Sequence, residues 1–208
     1  MSKVICGLSV SVDGFITGRD PRPGHGLGDG VVLFDWYGSG DVPSTVFAGF
    51  RLSAPSARVF DALASRVGAS LAGRTTYSDS DDFAGGAPHP TAPLVVLSHE
   101  AFPAANERQT IVSTGLVDAV DEAKRLADGK DVGLMGGVLA TEALKAGLVD
   151  ELILHQVPVL LGAGRRFFHE LPQHISLRIH EVVSAPDVTH LHYLVERAGG
   201  AAVGEDAR

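Results

Sequence analysis

Cysteine is almost absent from this chain, and its scarcity excludes several kinds of protein. The 208 residues contain one cysteine, Cys6. A single thiol cannot form a disulfide within the chain, and it cannot supply a zinc site built from several cysteines. We therefore expect neither feature, and the sequence favours a reducing compartment.

Positive charge and long apolar runs are also scarce. Seventeen Lys and Arg against 25 Asp and Glu give a net charge of −8, whereas a nucleic-acid binder needs a basic face to neutralise phosphates. No apolar stretch approaches the roughly 18 residues that span a bilayer. The first residues enter a strand-like run without the features of a signal peptide. The sequence thus predicts a cytoplasmic protein that binds neither nucleic acid nor a membrane.

What is present is typical of a globular α/β domain. The length favours one domain, which we place at residues 1–197, followed by a small, polar and flexible tail at 198–208. Strand-like and helical segments alternate, which predicts a mostly parallel sheet covered by helices on both faces. Two final strands, at about 175–184 and 189–196, predict a C-terminal antiparallel hairpin.

Three segments carry more specific predictions. Residues 18–53 are rich in Gly, Pro and Asp and predict a long loop, part of which folds back as a short helix. Ser113 or Thr114 is expected to cap the helix that follows a strand at 110–112. The apolar run 152–161 predicts a long strand, which at an edge of the sheet would suit the pairing of two copies.

Three strand-to-helix junctions have residues suited to binding phosphate. They are Gly73-Arg74-Thr75-Thr76, Leu97-Ser98-His99 and Met135-Gly136-Gly137. In parallel sheets ligands bind beyond the carboxyl ends of the strands, where backbone N–H groups can hold phosphates. Alone, the Gly73 and Gly136 junctions are equally compatible with ordinary turns, and Ser98-His99 alone favours an ordinary loop. Their common position at strand ends predicts one nucleotide site.

These junctions carry a family resemblance. The chain resembles the dihydrofolate-reductase-like superfamily, and more closely the C-terminal reductase domain of the bifunctional riboflavin-biosynthesis deaminase–reductase, over about residues 3–197. The segments that carry the resemblance, beyond the three junctions, are Ser11-Val12-Asp13-Gly14-Phe15-Ile16, Gly147-Leu148-Val149-Asp150-Glu151-Leu152, Pro158-Val159-Leu160-Leu161-Gly162-Ala163-Gly164 and Val188-Thr189-His190-Leu191.

The resemblance implies a three-layer dihydrofolate-reductase-like fold, a homodimer and NADPH as the cofactor. Arg74 and Ser98 would hold its 2′-phosphate, and an Arg beside a hydroxyl favours NADPH over NADH. Dihydrofolate reductases have a cis bond at the position of Gly136 and Gly137. The implied cofactor residues are Ile16, Thr17, Gly73, Arg74, Thr75, Thr76, Leu97, Ser98, His99, Met135, Gly136, Gly137, Val138 and Leu139.

Candidates for the reacting groups are fewer. Hydride transfer to a C=N bond also requires a proton, for which Asp13 and Asp35 are the candidates, although the sequence favours an ordinary turn residue at Asp13 and, more strongly, a solvated loop acid at Asp35. Arg165 and Arg166 could hold a substrate phosphate or could be a solvated basic pair. The implied substrate-binding residues are Leu161, Gly162, Gly164 and Arg165.

Histidines of the last hairpin are expected to face solvent. His180, His190 and His192 could converge there, but no carboxylate or cysteine completes a set, so we predict no metal site. His155 is expected to be a hydrogen-bonded residue of the sheet.

Two departures from the family limit the functional prediction. A chain with one cysteine has no deaminase motif, and Met135 stands where riboflavin-pathway reductases typically carry glutamate. The resemblance implies NADPH-dependent reduction of a small heterocycle, like that of 5-amino-6-(5-phosphoribosylamino)uracil. Reduction of dihydrofolate or another pterin, and NADPH binding without catalysis, are the alternatives.

Overall fold

A computed structural model describes residues 2–196, which form ten β-strands and four α-helices. The strands are β1 (Val4–Ser11), β2 (Val42–Pro43), β3 (Arg51–Leu52), β4 (Val67–Gly73), β5 (Leu94–Leu97), β6 (Gln109–Val112), β7 (Asp131–Met135), β8 (Glu151–Val157), β9 (Leu177–Ser184) and β10 (Thr189–Val195). The helices are α1 (Ala54–Arg66), α2 (Arg74–Asp79), α3 (Leu116–Leu126) and α4 (Gly137–Lys145), with 3₁₀ segments at Gly28–Gly38 and Asp81–Gly85.

Eight strands form one sheet in the order β6-β5-β4-β7-β1-β8-β10-β9, while β2 and β3 pair separately. The first six strands are parallel to one another, and β10 and β9 are added antiparallel. The predicted three-layer α/β fold with a C-terminal hairpin is confirmed. The tail predicted at 198–208 lies outside the described residues.

The main core lies between one face of the sheet and helices α3 and α4. Strand residues such as Val4, Leu71 and Leu134 are fully buried there against alanines of both helices, including Ala123 and Ala140. Small side chains let a helix approach the sheet closely. Burial of this face provides most of the apolar area removed from water.

The opposite face is covered by α1 and by an aromatic cluster. Trp36, on the 3₁₀ segment Gly28–Gly38, is 1% exposed, and its indole N–H donates to Oγ of Ser9 on β1 (3.0 Å). The short helix predicted within the loop is therefore confirmed. Ser53 caps α1, because its Oγ accepts the N–H of Ser56 (3.4 Å).

Two predictions about element ends were wrong. Helix α3 is preceded by Gly115 at φ 133°, a conformation that favours glycine, and neither Ser113 nor Thr114 caps it. Strand β8 ends at Val157, because Pro158 has no N–H for a sheet hydrogen bond. It also lies between β1 and β10, so the edge strands are β6 and β9.

The prediction that the histidines of the last hairpin face solvent was wrong for two of them. His190 and His192 are 2% and 8% exposed and face the aromatic side of the sheet. They can be buried because partners are present: Oγ of Ser56 for His190, and the carboxylate of Glu151 for His192. In β9, a register shift leaves His180 without an opposite residue, and His180 alone of the three is exposed.

Candidate cofactor and substrate cleft

A cavity of about 1670 Å³ opens at the carboxyl ends of the parallel strands and continues beneath the aromatic cluster. Pockets for a single small ligand usually measure about 300–1,000 Å³, so this one has room for a dinucleotide and a second molecule. All fourteen residues predicted to bind the cofactor line it. The structure thus brings together four segments that are far apart in the chain.

Three helices begin at this rim without a side-chain cap. The residues preceding α2, α3 and α4 are Gly73, Gly115 and Gly136, and none donates or accepts a side-chain capping bond. The first N–H groups of a helix need partners from outside the helix. Glycines leave these groups accessible from the cavity, which suits an anion such as a diphosphate.

Gly136 and Gly137 are required by the protein's own packing. Gly136 has φ 100°, and a Cβ there would lie 2.5 Å from Oγ1 of Thr76. A Cβ on Gly137 would lie 2.4 Å from the carbonyl oxygen of Arg166. All peptide bonds of the described residues are trans, including the one between these two glycines, in contrast to the cis bond of dihydrofolate reductases.

Arg74 is a cation at the rim without an ionic partner. Its guanidinium carbon lies 3.9 Å from the ring centre of Phe102, and it forms no ion pair with any residue in the described range 2–196. Ser98, at the end of β5, is buried, and its Oγ accepts the N–H of Glu100 (3.3 Å). Stacking orients the guanidinium and leaves its donors free for a phosphate.

The segment with Ile16 and Thr17 is fixed against the turn that follows β8. Ile16 N–H donates to the carbonyl oxygen of Arg165 (2.8 Å), and Arg165 N–H donates to Oγ1 of Thr17 (2.8 Å). A Cβ on Gly164 would lie 2.0 Å from the carbonyl oxygen of Thr17. The two segments therefore form a single wall of the cavity.

The predicted substrate residues divide into two groups. Gly164 and Arg165 line the cavity, whereas Leu161 and Gly162 do not. The guanidinium of Arg165 forms an ion pair with the carboxylate of Asp79 on α2, which neutralises a charge that could otherwise hold a substrate phosphate. Arg166, over the ring of Phe15 (4.8 Å), is the more accessible cation of the pair.

Neither predicted proton donor lines the cavity. Asp13 accepts hydrogen bonds from Oγ of Ser11 (2.5 Å) and from the N–H groups of Leu161 (3.1 Å) and Gly162 (2.7 Å). The bond from Ser11, with the two backbone bonds, lowers the pKa of Asp13. An ionised carboxylate that joins two loops is a poor acid at neutral pH. Asp35 is exposed on the 3₁₀ segment.

The inner half of the cavity was missed by sequence reasoning. Its outer wall consists of aromatic rings, among which Tyr37 and Phe50 stack at 4.4 Å, and its floor is the sheet face that carries Gly7 and Gly133. The aromatic residues of the wall are Phe34, Tyr37, Phe47, Phe50 and Phe60. The sequence signal was the unusual density of aromatics in a loop otherwise rich in Gly and Pro.

Within residues 2–196, no group of three His, Cys, Asp or Glu is placed to hold a metal ion. None of the helices in that range is both long and apolar enough to cross a membrane.

Comparison with known proteins identifies the family. The RibD C-terminal domain matches residues 2–191. The uncharacterized protein YwjB of Bacillus subtilis is 26% identical over 125 residues, which are 60% of this chain and 71% of YwjB. A second uncharacterized protein of that species, YyaP, is 36% identical over 69 residues, 33% of this chain and 36% of YyaP.

Solved structures agree with this assignment. A putative riboflavin biosynthesis protein from Shewanella sp. PV-4 is 25% identical, with a TM-score of 0.65 over 95% of this chain and 100% of that one. RibD of Acinetobacter baumannii shares the fold at 16% identity and a TM-score of 0.56, and the match spans 94% of this chain but 58% of RibD. The chain therefore belongs to the RibD C-terminal domain family and has the fold of the reductases of riboflavin biosynthesis.

Proposed function

We propose that the protein is an NADPH-dependent reductase of a small heterocyclic substrate, similar to the reductase of 5-amino-6-(5-phosphoribosylamino)uracil. Membership of the RibD C-terminal domain family supports a reductase. The observation that carries the cofactor assignment is that one cavity is lined by every residue that we predicted to bind NADPH. NADPH, when bound, supplies a hydride.

The chain's own residues would bind the cofactor along the rim. Arg74 and the hydroxyl of Ser98 suit the 2′-phosphate, because a guanidinium forms charge-assisted hydrogen bonds with phosphate oxygens. Gly73, Gly136 and Gly137 leave backbone N–H groups accessible to the diphosphate. The inner, aromatic half then remains for the substrate, and its apolar walls exclude water from the reacting atoms.

The test is a fluorescence titration of NADPH and NADH against wild type and Arg74→Ala. We expect the dissociation constant for NADPH to rise about 10- to 100-fold, because a charge-assisted phosphate contact is lost. NADH lacks that phosphate, so its constant should change less than about threefold. Arg125→Ala, which removes an exposed arginine outside the cavity, is the matched control and should affect neither cofactor.

Equal losses for both cofactors would contradict the role of Arg74. The substrate is tested separately by NADPH oxidation with 5-amino-6-(5-phosphoribosylamino)uracil. Methotrexate-sensitive oxidation with dihydrofolate would instead favour a pterin reductase. Tight NADPH binding without oxidation by either compound would favour a binding protein.

We also propose a homodimer that pairs through β9. The register shift at His180 turns Leu177, Ile179 and Val182 to the same sheet face, where they are 41%, 63% and 52% exposed. An edge strand with an uncovered apolar face suits a second copy. We expect wild type to sediment as a dimer and Ile179→Lys to sediment as a monomer. A monomeric wild type would contradict the proposed dimer.

A further inference from the structure

His155 presents an unused ring nitrogen to the inner half of the cavity. It lies on β8 opposite Ser9 of β1, and its imidazole is among the cavity-lining groups. Its Nδ1 is 2.8 Å from Nδ1 of His190. No residue in the described range forms a hydrogen bond with its Nε2. Because every buried side-chain nitrogen in that range has a partner, Nε2 is not fully buried and is accessible from the cavity. Nε2 is therefore left for an occupant of the cavity.

Behind His155, hydrogen bonds lead to the surface. Nε2 of His190 is 3.0 Å from Oγ of Ser56, which is 3.0 Å from Oγ of Ser53 at the start of α1. Ser53 is half-buried and thus reaches solvent. Imidazoles and hydroxyls can each accept one proton while donating another. The four side chains form an unbroken path for a proton between solvent and cavity.

Both imidazoles are neutral in the folded protein. Burial lowers the pKa of His155 to about 3 and that of His190 to about 4. Each ring then carries one hydrogen, and only one of the two facing Nδ1 atoms is protonated. When His190 donates to His155, the hydrogen of His155 is on Nε2 and points to the cavity.

The surroundings of His155 favour a flat, uncharged ring. Five aromatic side chains form the wall, and Gly7 and Gly133 leave the sheet floor flat. Planar rings stack well on such walls. The charged residues that line the cavity belong instead to α2, α4 and the 164–170 segment: Arg74, Asp79, Glu142, Arg165, Arg166 and Glu170.

We propose that the inner cavity binds a flat, uncharged heterocyclic ring, that Nε2 of His155 donates a hydrogen bond to the nitrogen of a C=N bond in that ring or joined directly to it, and that this contact supplies the proton for reduction. The proposal rests on the proposed function. NADPH, if bound, would supply a hydride to the carbon of the C=N bond, and Nε2 of His155 would give its proton to the nitrogen. His155 Nδ1 takes the proton of His190, whose Nε2 takes that of Ser56, and Ser56 is reprotonated through Ser53 from solvent. NADPH is oxidised, the C=N bond is reduced, and one solvent proton is consumed.

The binding part is tested with two probes of equal shape, quinoxaline and naphthalene, of which only quinoxaline has ring nitrogens. Trp36, the one tryptophan of the chain, lies 5.2 Å from the His155 ring and reports binding by its fluorescence. In His155→Phe we expect the dissociation constant of quinoxaline to rise about 3- to 10-fold, the range for one hydrogen bond, and that of naphthalene to stay within about twofold. His174→Phe, an exposed histidine outside the cavity, is the control.

Equal changes for both probes, or no response of Trp36 to either, would overturn the proposal. If His155→Phe melts at a much lower temperature, His155→Leu provides the same comparison. The relay is tested with Ser56→Ala, which leaves His155 in place. We expect kcat for NADPH oxidation with 5-amino-6-(5-phosphoribosylamino)uracil to fall about tenfold or more while KM and probe binding stay unchanged.

An unchanged kcat in Ser56→Ala would overturn the relay. If wild type oxidises NADPH with neither this compound nor dihydrofolate, the proposed function fails, and the two probes still decide on His155 because their binding requires no cofactor.

Discussion

The two ends of the parallel sheet both carry charged residues, but they differ in how completely those residues are paired with one another. At the amino ends of β1, β4, β7 and β8, the charged groups are paired with one another. The Arg66 guanidinium bonds to Asp131 (2.8 Å) and Glu151 (3.0 Å), and Lys3 donates to Glu151 (2.6 Å). At the carboxyl ends, helices start without caps and Arg74 has no ionic partner among residues 2–196.

The difference shows how a site can be distinguished from a structural cluster. Burial alone would raise the pKa of Glu151, but hydrogen bonds from His192, Arg66 and Lys3 together hold it well below its usual range. That carboxylate already has its partners. At the other end, Arg74 and the uncapped helix starts have no such partners among residues 2–196, so we expect ligands to bind at the carboxyl end.

The largest expected effect compares two glycines of the cleft. Gly137→Ala places a methyl group 2.4 Å from a backbone oxygen, and we expect the free energy of unfolding to fall by about 3 kcal/mol. Gly7→Ala brings a methyl group to 3.6 Å from Cβ of Ile153, an ordinary contact, and should change stability by less than about 1 kcal/mol. Urea unfolding of both variants measures this, and similar values would show that the rim tolerates added atoms.

The next effect separates the two ends of the sheet. Arg66→Met leaves the buried carboxylate of Glu151 with fewer partners, so we expect a loss of about 2–3 kcal/mol in the free energy of unfolding. The dissociation constant of NADPH should stay unchanged, because the substitution lies at the amino end. Arg125→Met breaks an exposed pair with Glu122 and should cost less than about 0.5 kcal/mol. A large change in NADPH affinity would show that the ends are coupled.

The smallest effect, taken per pH unit, is a dependence of the free energy of unfolding on pH. The pKa of His155 is lowered to about 3 in the fold, whereas in the unfolded chain it is about 6.5. Between these values the unfolded chain binds a proton that the folded one does not, so stability falls as the pH drops below about 6.5. The slope is at most about 1.4 kcal/mol per pH unit for each such histidine. His155→Phe should flatten it in urea unfolding at pH 7 to 4, and an identical slope would contradict the assignment.

The strands and the rim could be predicted because their signals are local. Short, mostly apolar runs mark β4, β5 and β7, and the residue after each strand is fixed by its position in the chain. Once strands were assigned, Gly73, Ser98 and Gly136 had to meet at one edge, because parallel strands end on the same side. The family resemblance then gave these residues roles.

The inner cavity could not be predicted because it depends on contacts between distant segments. Phe50 stacks on Tyr37 across a loop, and His190 is inward because Ser56 lies opposite it. Alternation along β10 is equally regular with either face buried, so the pattern alone cannot assign the faces. The start of α3 depended on the positive φ of Gly115, which no periodicity indicates.

The bonds that connect the Asp13, Thr17 and Arg165 segments have a mechanical consequence. Asp13 ties the loop after β1 to the turn after β8, Thr17 repeats the tie, and Arg165 extends it to α2 through Asp79. We therefore expect these parts of the rim to move together as one rigid unit.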